Sequence, residues 1–185
     1  MTFYKDGYMV VRGLLDTDVA LSLGAHLNKE EQLGRGEFGD PQAPLSTIFH
    51  SDDLLLKTQV KLLGIIEKYT GLELLKTYNY ARIYKKGSIL KIHKDREACE
   101  ISATIDLGGS PWDLWVLNRD ENPVKIQLNP GDALIYKGRD IPHWRGKLEG
   151  EEHTQVFMHY VDKYGVYSWA EDDKIRVAPI RHDIL

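Results

Sequence analysis

Three residues in the second half of the chain have the types and spacing of a metal site: His93, Asp95 and His143. His93-Lys94-Asp95 closes the apolar-alternating run Ile89–His93. Successive strand side chains point to opposite faces, so His93 and Asp95 point the same way. Such a pair supplies two ligands, and His143, 50 residues later at the start of another such run, supplies a third. Two imidazoles and one carboxylate on one face suit divalent iron and leave three coordination positions open. Those positions accept a co-substrate and dioxygen. The chain holds a second His-x-Asp, His50-Ser51-Asp52. It has no strand after it and sits where a helix is being capped, so His50 is read as structural.

The elements that must position these ligands fall into two halves. From Leu74 onward, short alternating runs are separated by turn signals: Tyr78–Tyr84, Ile89–His93, Glu100–Leu107, Leu114–Leu117, Val124–Leu128, Ala133–Tyr136, His143–Leu148 and His153–Val161. Strands at this spacing suggest a β sandwich or jelly roll. The first third reads as strand Tyr8–Val11, a helix capped by Asp16 or Asp18 and running to about Gln32, then a turn-rich loop from Gly34 to Ser46. Ser51 is expected to cap a second helix, with Asp52 and Asp53 in its first turn. Leu55, Leu56, Val60, Leu63 and Ile66 recur at helical spacing along it, and Gly71 closes it.

The 185 residues fit a single domain: a strand and helices over 1–73, a β core over 74–162 and a tail over 163–185. The hydrophobic fraction of 42% is enough for a proper core, and the net charge of -4 argues against nucleic acid or an anionic membrane as an obligate partner. The single cysteine, Cys99, excludes an intrachain disulfide and reads as a buried structural thiol. No apolar stretch reaches the roughly 18 residues of a membrane helix, and the expected location is cytoplasmic.

Several segments together resemble the prolyl-hydroxylase-like branch of the 2-oxoglutarate/Fe(II)-dependent dioxygenases. Tyr84-Lys85-Lys86-Gly87 followed by His93-Lys94-Asp95 is similar to that branch's Tyr-x-x-Gly…His-x-Asp segment. Asn129-Pro130-Gly131-Asp132 and the strand after it resemble the turn and strand before the distal histidine, which Ile141-Pro142-His143 supplies. His153–Asp162 resembles the last barrel strand, and Tyr4–Val11 the opening of many members. The resemblance covers residues 78–162 well and the first third loosely. It implies an α+β chain, mainly β, with a double-stranded β-helix of jelly-roll or cupin type and N-terminal helices packed on one sheet. It further implies Fe(II), 2-oxoglutarate and dioxygen, with ascorbate as reductant, and hydroxylation of a peptide prolyl residue or a small molecule.

At one position the chain departs from this pattern. The family carries an Arg or Lys about ten residues after the distal histidine, pairing with the distal carboxylate of 2-oxoglutarate. Here that position is His153, and no Arg or Lys occurs between Lys147 and Lys163. Arg145 shares a strand face with His143 and is the preferred substitute anchor, followed by Arg82 and His153; Tyr84 is expected to donate a hydrogen bond. His153, Gln155, Phe157 and His159 share one face of the last strand, a polar set that makes sense if it lines a site. Gln155 is therefore a further co-substrate candidate, and Arg96, His159 and Trp144 are candidate substrate contacts. Trp144 is also read as core, and two readings of the Gly34–Ser46 loop stay open, a lid over the site and a disordered loop without function. Without the family's cation, two alternatives stay open: a cupin-like metalloprotein that does not use 2-oxoglutarate, and a non-catalytic ligand-binding jelly roll.

Overall fold

The structure is a computed structural model and describes residues 2–50 and 52–172. A one-turn helix α1 (Phe3–Asp6) precedes β1 (Tyr8–Val11) and α2 (Thr17–Gln32). Then come β2 (Glu37–Phe38), β3 (Ser46–His50), α3 (Asp53–Thr70), β4 (Leu74–Lys85) and β5 (Leu90–His93). The chain continues through β6 (Ile101–Gly109), β7 (Leu114–Leu117), β8 (Pro123–Ile126), β9 (Ala133–Tyr136), β10 (His143–Arg145) and β11 (Glu152–Asp162). All pairings are antiparallel. They form a seven-stranded sheet, β1-β9-β6-β11-β4-β3-β2, and a four-stranded sheet, β5-β10-β7-β8. Together these make a double-stranded β-helix with helices on its larger sheet.

Alternation along the large sheet sorts residues by chemistry. One face carries Ala81 and Ile83 of β4, Ala103 and Ile105 of β6, and Val156, Met158 and Tyr160 of β11. It is covered by Ala20, Leu23 and Leu27 of α2 and Leu55, Leu62 and Ile66 of α3. Burying apolar strand and helix faces together is what drives this layer. Gly24 lets α2 sit close, since a Cβ there would lie 2.4 Å from the Leu107 carbonyl oxygen. The opposite face looks into the barrel. Its apolar half, Tyr8, Leu134 and Tyr136, packs against Leu114, Val116 and Ile126 of the small sheet. Its other half is polar and forms the site.

The turn Asn129–Asp132 is a structural joint. Gly131 adopts a φ of 93°, with Leu15 too close for a side chain. Asp132 accepts from the backbone of Asn129 and Gly13 and pairs with Arg12, tying β9 to the end of β1.

Three expectations for the first third need correction. Ser51 lies outside the described residues, and α3 is capped instead by Asp52, whose Oδ1 accepts from the backbone of Leu54 (2.9 Å) and Leu55 (3.1 Å). The buried stripe of α3 is Leu55, Gln59, Leu62 and Ile66, while Leu56 and Val60 face solvent. The Gly34–Ser46 segment contains β2 and leads directly into β3, which pairs with β4 and enters the large sheet. Of the tail, 163–172 forms turns and a 3-10 turn, Ser168–Ala170, and 173–185 lies outside the described residues. None of the described helices is long and apolar enough to cross a membrane.

Candidate metal centre

His143 pairs directly with His93 across the β10–β5 ladder, so neighbouring backbone hydrogen bonds set the two imidazoles side by side. Their ring centroids lie 4.2 Å apart. Asp95, just past the end of β5, is held by its backbone N–H donating to the Gly138 carbonyl (2.9 Å). Its Oδ1 lies 3.7 Å from His93 Nε2 and 3.6 Å from His143 Nε2. Each imidazole sets its Nδ1 against a backbone carbonyl, Lys91 O for His93 (2.8 Å) and Ile141 O for His143 (2.9 Å). A carbonyl only accepts, so the proton sits on Nδ1 and the Nε2 lone pair faces Asp95. Burial, and then His143, push His93 down to about 4, which keeps the ring neutral near pH 7. Burial alone would raise the Asp95 carboxyl, but His143, His159, His93 and the Ser102 hydroxyl hold it below the usual carboxylate range.

This donor set fits a divalent metal: two imidazoles with Nδ1 held by backbone carbonyls and Nε2 turned inward, an ionised carboxylate, and a gap between the three ligand atoms. The second oxygen of Asp95 faces the other way, toward Ser102 Oγ (3.3 Å) and the Tyr136 hydroxyl (3.4 Å). Cys99, buried as expected, and His159 lie with Asp95 in a second group on that side. His159 Nδ1 contacts Ser102 Oγ (2.8 Å), while its Nε2 is buried without a hydrogen-bond partner among the described residues.

The polar face of β11 borders the site. Arg145 is buried on the His143 face of β10. Its guanidinium donates to the Trp112 carbonyl and to Gln155 Oε1, and stacks 4.8 Å from the Trp112 ring. Both acceptors are neutral, and among the described residues no carboxylate lies within ion-pair distance of this cation. Burial lowers Arg145 to about 10, so it stays charged at neutral pH. Asp106 is within electrostatic reach; burial pushes it up to about 6, so it is still mostly ionised at pH 7, and its carboxylate accepts from the Gly108 backbone rather than from Arg145. Gln155 Nε2 donates to Thr104 (2.5 Å) and its Oε1 lies 2.9 Å from His153 Nε2. His153, ten residues past His143, is pushed to about 4 by burial and by Arg145, so it is neutral at pH 7. Tyr84 is buried within electrostatic reach of both Arg82 and Arg145.

Arg82 points inward from β4 but is ion-paired. Asp40, in the loop before β3, takes it bidentately at 2.6 and 3.1 Å, and Gln42 and Ser46 add contacts. Arg96 stacks 4.6 Å above Tyr78, which also packs against the His159 ring at 4.6 Å. Trp144 is a correction on both counts. It sits half-buried on the opposite face of β10 from His143, stacked on Trp115 at 6.1 Å, and is neither in the core nor in contact with the site. Trp112 is the tryptophan that packs against Tyr84, Arg145 and His153. Asp40, Gln42, Ser102, Tyr136 and Gly138 also shape the site and carry no motif of their own.

A cavity of about 10 Å³ lies over the three metal-site residues, bounded by Gln42, Tyr80, Phe157 and His159 among others. A larger groove of about 320 Å³, near Lys94, Arg119 and Lys137, is outside the barrel and shares no residue with the site.

No protein-family model and no curated protein matches the chain. Solved structures do. A prolyl-4-hydroxylase from Pseudomonas putida superposes with a TM-score of 0.70 at 17% identity, covering 86% of this chain and 95% of that one. The non-heme, alpha-ketoglutarate-dependent epimerase SnoN from nogalamycin biosynthesis gives 0.74 at 16%, covering 86% and 79%. HygX from Streptomyces hygroscopicus, with nickel, 2-oxoglutarate and hygromycin B bound, gives 0.70 at 13%, covering 88% and 85%. The fold is thus the double-stranded β-helix on which 2-oxoglutarate/Fe(II) oxygenases are built. At these identities the likeness concerns the fold; activity is argued from the site.

Proposed function

We propose that the protein is an Fe(II)- and 2-oxoglutarate-dependent oxygenase, with His93, Asp95 and His143 holding the metal and Arg145 receiving the distal carboxylate of 2-oxoglutarate. The observation that carries this reading is Arg145 itself. A buried guanidinium with only neutral acceptors is costly unless an anion joins it. Arg145 lies two residues past His143 on the same face of β10, about 6.6 Å along the strand, so a short dicarboxylate held at the metal would extend toward it. His153 and Thr104 orient Gln155, and Gln155 orients Arg145, so the donors are fixed before any ligand arrives. Iron held here would supply the oxidative decarboxylation of 2-oxoglutarate by dioxygen, to succinate and carbon dioxide, coupled to substrate oxidation. The protein's share is to fix the ligand tautomers, aim the co-substrate and exclude water. The same cation argues against a cupin-like protein that does not use 2-oxoglutarate.

The test is anaerobic 2-oxoglutarate titration of the Fe(II)-loaded protein, then succinate measurement in air with ascorbate. Arg145→Gln is expected to weaken 2-oxoglutarate binding by about 30-fold or more while leaving Fe(II) affinity within about twofold, in line with the roughly 2–5 kcal/mol for truncating a buried charge pair. A wild-type protein that neither binds nor consumes 2-oxoglutarate overturns the reading.

A further inference from the structure

We propose that Arg82 is the binding site for a carboxylate or comparable oxyanion on the substrate, and that Asp40 occupies this site as an internal stand-in while the strap Gly39–Leu45 is shut. The word substrate rests on the oxygenase reading above; the anion site at Arg82 does not.

The starting point is space. The cavity over the metal-site residues holds about 10 Å³, room for one water at most. Neither a five-carbon diacid nor a substrate enters without a wall moving. Most of the wall consists of strand side chains fixed by the two sheets. Asp95 follows β5 and is held by Gly138, Ser102 and Tyr136, whereas Gln42 comes from the strap. The strap leaves the β2–β3 pair at Gly39, which has a φ of 67° and donates its N–H to the Ser46 carbonyl (2.7 Å). Its apolar hold is Ala43, packed among Tyr84, Leu90, Trp112 and Phe157. Its only ion pair among the described residues is Asp40 with Arg82. The Asp40 carboxylate also accepts from the backbone of Gln42 and Ala43, so it shapes the strap and latches it at once.

The second step is electrostatic. Arg82 is 4% exposed and lies over the Tyr80 ring at 5.5 Å. If the strap lifts, Asp40 leaves with it and a buried guanidinium loses its counter-charge, which is strongly unfavourable. A ligand that opens the strap meets a lower cost when it brings its own anion to the same place. Arg82 also has capacity to spare: its Nε is buried with no hydrogen-bond partner among the described residues. A guanidinium offers five donors in a planar fork, and an oxyanion approaching along the Nε edge can use the one Asp40 leaves. The location is right for a substrate. Arg82 projects from the same β4 face as Tyr80, which lines the metal cavity, whereas Arg145 is the cation two residues from His143.

The experiment has two arms, both on the full chain with Fe(II) and 2-oxoglutarate, the first under argon and the second in air. In the first, Asp40→Ala removes the internal carboxylate, and Asp40→Asn does so while keeping the turn acceptor. Acetate is expected to raise the melting temperature of either variant saturably, acetamide is not, and the double variant Arg82→Gln/Asp40→Ala responds to neither. Equal responses to acetate and acetamide, or an acetate response in the double variant, overturn the proposal. In the second, a panel of small carboxylic acids and their matched primary amides is tested for acceleration of 2-oxoglutarate consumption. Compounds that accelerate it are expected to be acids and to lose at least 100-fold in kcat/KM in Arg82→Gln. An amide that works equally well in both proteins overturns the proposal. Absence of any 2-oxoglutarate binding or turnover instead overturns the oxygenase reading, and the acetate arm still reports on Arg82.

Discussion

Asp95 presents its two oxygens in different directions, and the residue behind it decides how well they aim. Oδ1 faces the two Nε2 atoms, while Oδ2 takes the hydroxyls of Ser102 and Tyr136. Behind the carboxylate is Gly138, whose carbonyl holds the Asp95 backbone. A Cβ at 138 would lie 2.4 Å from Asp95 Oδ2, 2.5 Å from the Cys99 carbonyl oxygen and 2.7 Å from Ser102 Oγ. The Cys99 contact is backbone in a buried turn, so Asp95 must yield. Gly138→Ala is therefore expected to weaken Fe(II) binding by about 10–100-fold, the usual effect of disturbing the groups that orient metal ligands. Anaerobic calorimetric titration checks it, alongside circular dichroism to show that the fold persists. An unchanged Fe(II) affinity in a folded variant would mean that Gly138 does not set the carboxylate.

At the scale of elements, helix α3 reaches through the large sheet to the back of the site. The β4–β11 ladder slips register between Met158 and Tyr160, opposite Asn79 and Lys76. Gln59, fully buried on α3, fills that irregularity. Its Nε2 donates to the carbonyls of Tyr78 (3.1 Å) and His159 (3.0 Å), and its Oε1 accepts from Asn79 (2.9 Å). One side chain thus fixes the backbone of two residues whose rings stack beside the metal-site residues. Gln59→Met keeps the volume but strands these polar groups, at about 1–3 kcal/mol each. The expected loss is about 3 kcal/mol, or a melting temperature lower by about 6–12 °C for a chain of this size, read by calorimetry. A loss under about 1 kcal/mol would show that the ladder satisfies those carbonyls by itself. Gln59 also shows where reading the sequence stops. Period-2 alternation carries strand faces well, so the polar face of β11 and the shared face of His93 and Asp95 were legible, as was the pairing of Arg145 with His143. A polar residue inside an apolar helical stripe looks like solvent exposure unless the sheet irregularity it serves is known. Strand β3 was hidden for a related reason: Ser46-Thr47-Ile48-Phe49-His50 lies between a turn-rich strap and a helix cap, and only pairing with β4 makes it a strand. The Asp40–Arg82 pair joins residues 42 apart through tertiary structure alone.

For the whole molecule, the two sheets are unequally supported, and the metal site lies where that inequality matters. The large sheet is backed by α2 and α3 and by the main apolar cluster. The small sheet consists of strands of three or four residues, and two of them, β5 and β10, carry His93 and His143. Asp95 belongs to the loop after β5 but is oriented by Ser102 and Tyr136 of the large sheet. A metal held by all three therefore ties the weaker sheet to the stronger one. Binding to the native state alone stabilises it by about 2.7 kcal/mol at 100 times Kd, which corresponds to a melting temperature higher by about 5–11 °C. Chelation is expected to reverse that gain. The loss should also be local, since elements differ in their opening free energies. Amide hydrogens of β5 and β10 should exchange faster after chelation, while those of α2, α3 and the centre of β11 stay protected. His143→Ala should show neither the thermal shift nor the change in exchange. Uniform loss of protection across both sheets, or a chelator effect that persists in His143→Ala, would rule out the metal as a tie between them.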